Sequence, residues 1–330
     1  MTKDRPASRE ARCLPSALDA IGNTPLVELS RITRGVDGRI LAKCEFLNPG
    51  GSKKDRIALQ IVRDAEADGR LAPGQTVVEL TSGNTGAGLA IVCGLTGHQF
   101  VAVMSKGNTS ERAQMMRALG AEVVLVDQAE GSPHGQVSGD DLALVEAETQ
   151  RIVEERRAFR ADQFELKSNF RAHYLHTGPE ILRQADRIDV FCDFVGTGGS
   201  FAGCAAAFTE HNPSIACYIV EPEESPALAG QEIANPSHRI QGGGYSRRSL
   251  RMLELAGIEP TGYLSVSDGE AIQCARRLAV EEGLFVGFSS GANLAAALRL
   301  LAGPHRGGTV VVLLNDTGLK YLSTDLWHEA

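Results

Sequence analysis

Apolar and polar residues along this chain fall into blocks that switch between two periods. Short runs rich in Val, Ile, Leu and Phe, at residues 39–44, 76–80, 99–104, 122–126, 188–195, 215–220 and 309–314, read as buried strands. Amphipathic stretches lie between them. Ile57, Leu59, Ile61 and Val62 interleave with Arg56, Gln60, Arg63 and Asp64, which predicts a helix from Lys54 to about Gly69. Further helices are predicted over 86–96, 110–119, 141–157, 201–208, 269–282 and 292–301, and a polar surface loop over 128–140. Strands alternating with helices imply an α/β fold with parallel sheet and helices on its faces. No internal repeat interrupts the order.

Composition narrows the class. A chain of 330 residues suits two lobes sharing an interface, and 43% hydrophobic with 22% charged residues is ordinary for a globular protein. The formal charge of −8 argues against non-specific nucleic-acid binding, though it permits a local pocket for a small anion. No apolar run has the length of a membrane span. Residues 1–12 are polar and mixed in charge, which reads as a disordered tail rather than a secretion signal. Cys13, Cys44, Cys93, Cys192, Cys204, Cys217 and Cys274 include no Cys-x-x-Cys pair. They read as buried reduced thiols, with no metal site, and suit a reducing cytoplasm.

The chemistry concentrates in turns that lead into helices. Asn48-Pro49-Gly50-Gly51-Ser52-Lys53-Lys54-Asp55-Arg56 is a tight loop with two lysines at a helix start. A cation is disfavoured there, and a neutral lysine amine is a nucleophile that can form a Schiff base. Taken alone, the run also reads as a solvated basic helix start. Thr81-Ser82-Gly83-Asn84-Thr85-Gly86 offers hydroxyls and N–H groups suited to a carboxylate, or simple N-capping. Gly196-Thr197-Gly198-Gly199-Ser200 follows a strand and lets backbone N–H groups close on a phosphate. A dinucleotide site ranks below this, although Glu221 could bind a ribose, because Phe201 stands where the third glycine belongs. Gly287-Phe288-Ser289-Ser290-Gly291 presents two serines, equal candidates on spacing, and Gln241-Gly242-Gly243-Gly244-Tyr245 is a flexible glycine loop.

With Ile21-Gly22-Asn23-Thr24-Pro25-Leu26 and Lys320-Tyr321-Leu322-Ser323-Thr324, these runs resemble the cysteine synthase (O-acetylserine sulfhydrylase) family of fold type II pyridoxal-phosphate enzymes over nearly the whole chain. The resemblance implies two lobes with twisted, mainly parallel sheets flanked by helices and the cofactor between them. Residues 45–160 would form the N-terminal, substrate-carboxylate lobe. Residues 13–44 would cross over to join 161–330 in the phosphate-binding lobe.

By the same resemblance the Schiff-base lysine and general base is Lys54, not Lys53. Gly196, Thr197, Gly198, Gly199 and Ser200 would hold the phosphate of pyridoxal 5'-phosphate, Asn84 its ring oxygen and Ser289 its ring nitrogen. Thr81, Ser82, Gly83, Thr85, Gln163 and Gly242 would surround the substrate; His173 is given no catalytic role. A hydroxyl partner leaves the ring nitrogen neutral, a weaker electron sink that favours loss of a β-substituent over transamination or racemisation. The implied reaction is β-replacement on O-acetylserine or a similar activated L-serine, through an aminoacrylate, with sulfide giving L-cysteine, in a homodimer. β-Elimination of the cysteine desulfhydrase or serine dehydratase type, another nucleophile, a phosphoserine donor, and a non-enzymatic anion-binding role stay open on the residues.

Four departures touch the substrate side rather than the cofactor set. Leu80 replaces a usual proline, Gly107-Asn108-Thr109 replaces Thr-Met-Ser, Lys53 replaces a small apolar residue, and Leu166, Lys167, Phe170 and Arg171 alter the stretch beside Gln163. Lys167 or Arg171 could add positive charge near the cleft for an anionic donor or nucleophile; exposed cations with no such role read as well.

Overall fold

The computed structural model describes residues 13–81, 83–108, 110–132, 137, 139–236 and 238–328. The tail at 1–12, the carboxylate-loop residue Ser82, and part of the 128–140 loop lie outside the described residues.

The described strands form two sheets. The larger contains β1 (Leu26–Glu28), β2 (Arg39–Cys44), β7 (Val190–Phe194), β8 (Ala216–Pro222), β9 (Gly262–Val266) and β10 (Thr309–Leu314), in the order β1-β2-β10-β7-β8-β9. Only β1 pairs antiparallel, with β2; the other neighbours are parallel. The smaller sheet is wholly parallel, in the order β5-β4-β3-β6, from β3 (Val77–Leu80), β4 (Phe100–Ser105), β5 (Glu122–Val126) and β6 (Phe159–Arg160). The helices are α1 (Lys54–Ala67), α2 (Asn84–Thr96), α3 (Ser110–Ala118), α4 (Gly139–Arg156), α5 (Ser168–Ala172), α6 (Gly178–Gln184), α7 (Gly199–His211), α8 (Arg251–Ala256), α9 (Asp268–Glu282) and α10 (Phe288–Ala302), with a π-helical turn at His173–Thr177 between α5 and α6.

Both sheets are covered on two faces, which is why their central strands are mostly apolar on both sides, with single polar residues such as Glu79 and Asp193 among them. Along β10, Val310, Val312 and Leu314 pack with Leu278, Ala296 and Leu300 of α9 and α10. The alternate residues Val311 and Leu313 pack with Ile181 of α6 and Phe201 and Phe208 of α7. In the smaller sheet Val77, Ala102 and Met104 face α1 and α2 through Ile61 and Leu89, while Val78, Val101 and Val103 face α4 through Val145 and Ile152. Each such side chain withdrawn from water contributes roughly 1.5–3 kcal/mol.

Two features differ from the periodicity. Helix α10 begins at Phe288, before the predicted start, and runs through Gly291. A Cβ at Gly291 would lie 1.9 Å from the Ala271 carbonyl oxygen, so this glycine permits close packing of α10 on α9 and does not break the helix. Cys13 is exposed, unlike the other six cysteines, which are buried, and all seven are free thiols. Among the described residues no helix is long and apolar enough to cross a membrane.

Candidate active site

The carboxyl ends of the parallel strands converge on one cleft, where such folds place their ligands. β2 leads to the lysine loop and α1, β3 to Thr81–Gly83 and α2, β7 to the glycine turn and α7, and β10 to Asn315 and Asp316. The lysine loop is stitched to the end of β10. Lys53 N donates to Asn315 O at 2.9 Å and Thr317 N to Gly51 O at 3.0 Å. Gly51 has φ +73°, and a Cβ there would sit 2.9 Å from Thr317 Cγ2, so both conformation and space demand glycine.

A buried charge network fixes the first turn of α1. Arg56 donates from Nε and Nη2 to Glu45 (2.6 and 2.8 Å) and from Nη1 and Nη2 to Glu180 (2.8 and 2.7 Å). Lys43 Nζ donates to Glu180 Oε2 and to the Thr24 carbonyl, both at 2.7 Å, and Thr24 Oγ1 donates to Glu45 at 2.7 Å. Thr24, Lys43, Glu45, Arg56 and Glu180 are therefore parts of one structural clamp. Motif spacing alone does not reveal it, because Arg56 and Glu180 are 124 residues apart.

The two lysines differ in surroundings. Lys53 is tethered: its Nζ donates to Asp193 Oδ2 at 3.0 Å, Asp193 Oδ1 at 3.2 Å and Ser200 Oγ at 2.8 Å. Lys54 is half-buried by surface, yet its amine lies deep enough for desolvation to dominate. Burial first, and the neighbouring Lys53 cation second, pull its pKa down to about 7, against opposing attraction from Asp193 and Asp316. Pyridoxal offered to the protein and fixed with borohydride will therefore label Lys54 at a rate that rises through about pH 7 and then levels. Peptide mapping reads the position. Label on Lys53, or a rate still climbing above about pH 9 as for an ordinary lysine, would contradict this.

The cleft is walled by Lys53, Lys54, Asn84, Phe194, Gly196, Thr197, Gly198, Ser200, Gln241, Gly242, Ser289, Asn315 and Asp316. Of the expected phosphate turn only Gly199 is off the wall; its backbone opens α7, and a Cβ there would meet Asn169 Oδ1 at 1.9 Å. The structure separates the two serines. Ser290 is fully buried and accepts the Asn315 N–H at 2.9 Å, whereas Ser289 faces the cleft and accepts from Asn315 Nδ2 at 3.0 Å. Ser289 thus keeps its own proton to donate.

Asn84, expected to serve a ring oxygen, has its carboxamide engaged at both ends. Nδ2 donates to Asp316 Oδ2 at 2.7 Å and Oδ1 accepts from Lys320 Nζ at 2.5 Å, which leaves one amide proton.

The substrate set lies partly one layer back. Thr85 Oγ1 donates to Gln163 Oε1 at 2.8 Å, and Thr81 Oγ1 caps α2 by accepting Gly86 N at 3.0 Å. Gly83 lies beside Arg112, which bonds Gln241 of the glycine loop and so bridges the two sides of the mouth. Gly242 has φ +95°, and its carbonyl approaches Gly196 closely enough that a Cβ there would sit at 2.8 Å.

Three of these groups escape sequence reading: Arg112, Asp193 and Glu79. Glu79 is a buried carboxyl beside Gln163, pushed well up by burial and then by Asp162. Lys167 is exposed and Arg171 donates to Asp64 on α1 at 2.9 Å; neither is among the residues walling the cleft, whereas Lys53 is.

Residues 17–316 match the family described as pyridoxal-phosphate dependent enzymes. The chain belongs to that family. Cysteine synthase 3 of Caenorhabditis elegans is 40% identical over 322 residues, covering 94% of this chain and 89% of the worm protein. O-acetyl serine sulfhydrylase isoform 3 from Entamoeba histolytica superposes with a TM-score of 0.89 at 31% identity, covering 99% and 96% of the two chains. An O-ureido-L-serine synthase superposes with a TM-score of 0.83 at 36% identity, covering 96% of each. This pyridoxal-phosphate-dependent enzyme has the type II fold.

The cleft fits that cofactor on its own chemistry. The first-turn N–H groups of α7 have no helical partner and suit a phosphate. Asn315 Oδ1 and Asp316 Oδ1 are buried without a hydrogen-bond partner beside Ser289 and Asn84, the expected place for a polar ring. A wider depression on α9, lined by Ile272, Gln273, Arg276 and Val280, has none of these convergent groups.

Proposed function

We propose that this enzyme catalyses β-replacement on an activated L-serine, O-acetylserine or a close relative, with sulfide as the nucleophile and L-cysteine as the product. The observation that carries the reading is one cleft holding a lysine amine with its pKa drawn down to about 7 together with the Ser289 hydroxyl, the Asp316 carboxylate on the same wall being engaged by Asn84 and Tyr321. The bound cofactor supplies an aldehyde for the substrate nitrogen and a ring that accepts electron density from Cα.

Lys54 would hold the cofactor aldehyde, and an incoming amino acid would free its amine. The freed amine, about half neutral near pH 7, then takes the Cα proton. Acetate departs with the Cβ–O bond pair, hydrosulfide supplies the pair for the new C–S bond, and Lys54 returns a proton to Cα. Ser289 donates to an uncharged ring nitrogen and so favours loss of the β-group over competing fates. The α2 loop from Thr81 to Thr85, with Ser82 and Gly83, receives the substrate carboxylate. Gln163 braces Thr85 from behind, and Gly242 lets the opposing loop approach. Asn84 would give its remaining amide proton to the ring oxygen, and Gly196 to Ser200 would hold the phosphate.

On this reading residues 45–160 form the substrate lobe, and 13–44 with 161–330 the phosphate lobe. The sorting of β3–β6 and of β1, β2 and β7–β10 into separate sheets supports that division. Six buried free thiols suit a cytoplasmic location, and the family resemblance suits a homodimer.

Purified enzyme given O-acetylserine and sulfide will release L-cysteine and acetate, read by mass spectrometry. Because one similar protein is an O-ureido-L-serine synthase, the panel includes other nucleophiles, and phosphoserine as donor. Pyruvate and ammonia as the main products with sulfide present would replace the proposal with β-elimination. Absence of turnover with every donor would leave only an anion-binding role.

A further inference from the structure

Beneath the glycine turn lies a buried polar cluster that the proposed chemistry does not use. Asp193, fully buried on β7, accepts Lys53 Nζ at 3.0 and 3.2 Å, Ser200 Oγ at 2.5 Å and Asn293 Nδ2 at 3.0 Å. Asn293 is itself fixed, donating to Leu313 O at 2.8 Å and accepting Phe194 N at 2.6 Å. A carboxylate this close to a phosphate turn opposes anion binding unless a cation offsets it. Lys53 is placed to do so. Lys53 is on the cleft wall with Gly196, Thr197, Gly198 and Ser200, while Asp193, to which its ammonium is bound, is off the wall.

The hydrogen-bond inventory points the same way. Ser200 has one hydroxyl proton and directs it to Asp193, so it has none left for an anion in this arrangement. Lys53 has three N–H bonds and directs them to three oxygens, Asp193 Oδ2, Asp193 Oδ1 and Ser200 Oγ. The contact to Asp193 Oδ1, at 3.2 Å, is the longest, and an anion resting on the turn takes over that N–H while the other carboxylate oxygen keeps its own.

We propose that Lys53 is a phosphate-binding residue: Asp193 holds its ammonium under the glycine turn, where it makes a charged contact to the cofactor phosphate that replaces the donor Ser200 has given up. This rests on the cofactor phosphate occupying the Gly196–Ser200 turn. Lys53 thereby becomes part of the anion site, although a small apolar residue stands there in the family pattern.

The test compares pyridoxal phosphate with pyridoxal. Both carry the aldehyde that Lys54 captures, and they differ only in the phosphate. Dissociation constants are measured by absorbance titration of the cofactor-free protein, for the parent and for the Lys53→Met, Asp193→Asn and doubly substituted variants. Lys53→Met alone strands a buried carboxylate and can unfold the protein, so the double variant carries the comparison.

Asp193→Asn removes the opposing anion and will bind pyridoxal phosphate about 10-fold tighter than the parent. Adding Lys53→Met to it will weaken that binding about 10- to 100-fold, the worth of one charged hydrogen bond. Pyridoxal binding will stay within about threefold throughout. If the double variant binds pyridoxal phosphate as tightly as Asp193→Asn, or if pyridoxal loses as much affinity as its phosphate, Lys53 is only a structural clamp and the proposal is overturned. A parent that binds pyridoxal phosphate no better than pyridoxal would overturn the placement of the phosphate, and this inference with it.

Discussion

Lys54→Ala enzyme, reloaded with pyridoxal phosphate, will form cysteine at least about 10⁴-fold more slowly than the parent. The loss combines two roles of one amine. A positioned general base contributes typically about 10²–10⁴-fold, and the same amine also captures and releases the cofactor aldehyde. Lys54→Arg will be as inactive, because a guanidinium stays charged and can neither capture an aldehyde nor accept a proton. Small primary amines added to Lys54→Ala will restore part of the rate, and the rescue will track the neutral fraction of the amine. Lys53 cannot substitute, since its ammonium is committed to Asp193 and Ser200. Activity within tenfold of the parent would show that another group takes the proton and would move the assignment away from Lys54.

The fold was readable wherever burial on two faces made a strand apolar at every position. β10 and the core of β4 stood out for that reason. β1, β6 and β9 did not: they are short or half-exposed, and β9 reads Gly-Tyr-Leu-Ser-Val, with too little alternation to mark it. The anion-binding turns were visible because glycine and hydroxyl residues at strand-to-helix junctions have a local physical meaning.

The choice between Lys53 and Lys54 was not local. It rests on Asp193, 140 residues away from Lys53, which a one-dimensional pattern cannot associate with it. The choice between Ser289 and Ser290 likewise depends on how Asn315 meets each of them. Residue types therefore located the turns and the family resemblance named Lys54 and Ser289, while the physical reasons, the tether of Lys53 to Asp193 and the burial of Ser290, lie in tertiary contacts.

Arg56→Met will destabilise the protein by about 3–5 kcal/mol at neutral pH, read as a lower urea midpoint at unchanged slope. The substitution keeps much of the side chain's apolar volume but removes the only guanidinium between two buried carboxylates, Glu45 and Glu180. Lys43 remains for Glu180; Glu45 keeps only hydrogen bonds from Thr24 and Asn48.

The pH dependence identifies the cause. Burial alone would raise the Glu180 pKa, but hydrogen bonds and charge from Arg56, with Lys43, hold it at about 2 against an ordinary 4.5. A depressed carboxyl stabilises the fold fully above about pH 4.5, and that contribution disappears as pH falls through about 2. Its size is roughly 3 kcal/mol, consistent with the expected loss. The gap between parent and Arg56→Met will therefore narrow below about pH 4.5.

Arg39→Met is the control. Arg39 also bridges two carboxylates, Glu28 and Asp186, but its side chain is 39% exposed, so its loss should cost no more than about 1 kcal/mol. Equal destabilisation by the two substitutions, or a gap for Arg56→Met that does not change with pH, would mean that buried charge does not hold the first turn of α1. Should the expected difference appear, the clamp that orients Lys54 is electrostatic and depends on its exclusion from water, since both arginines make the same number of ion pairs.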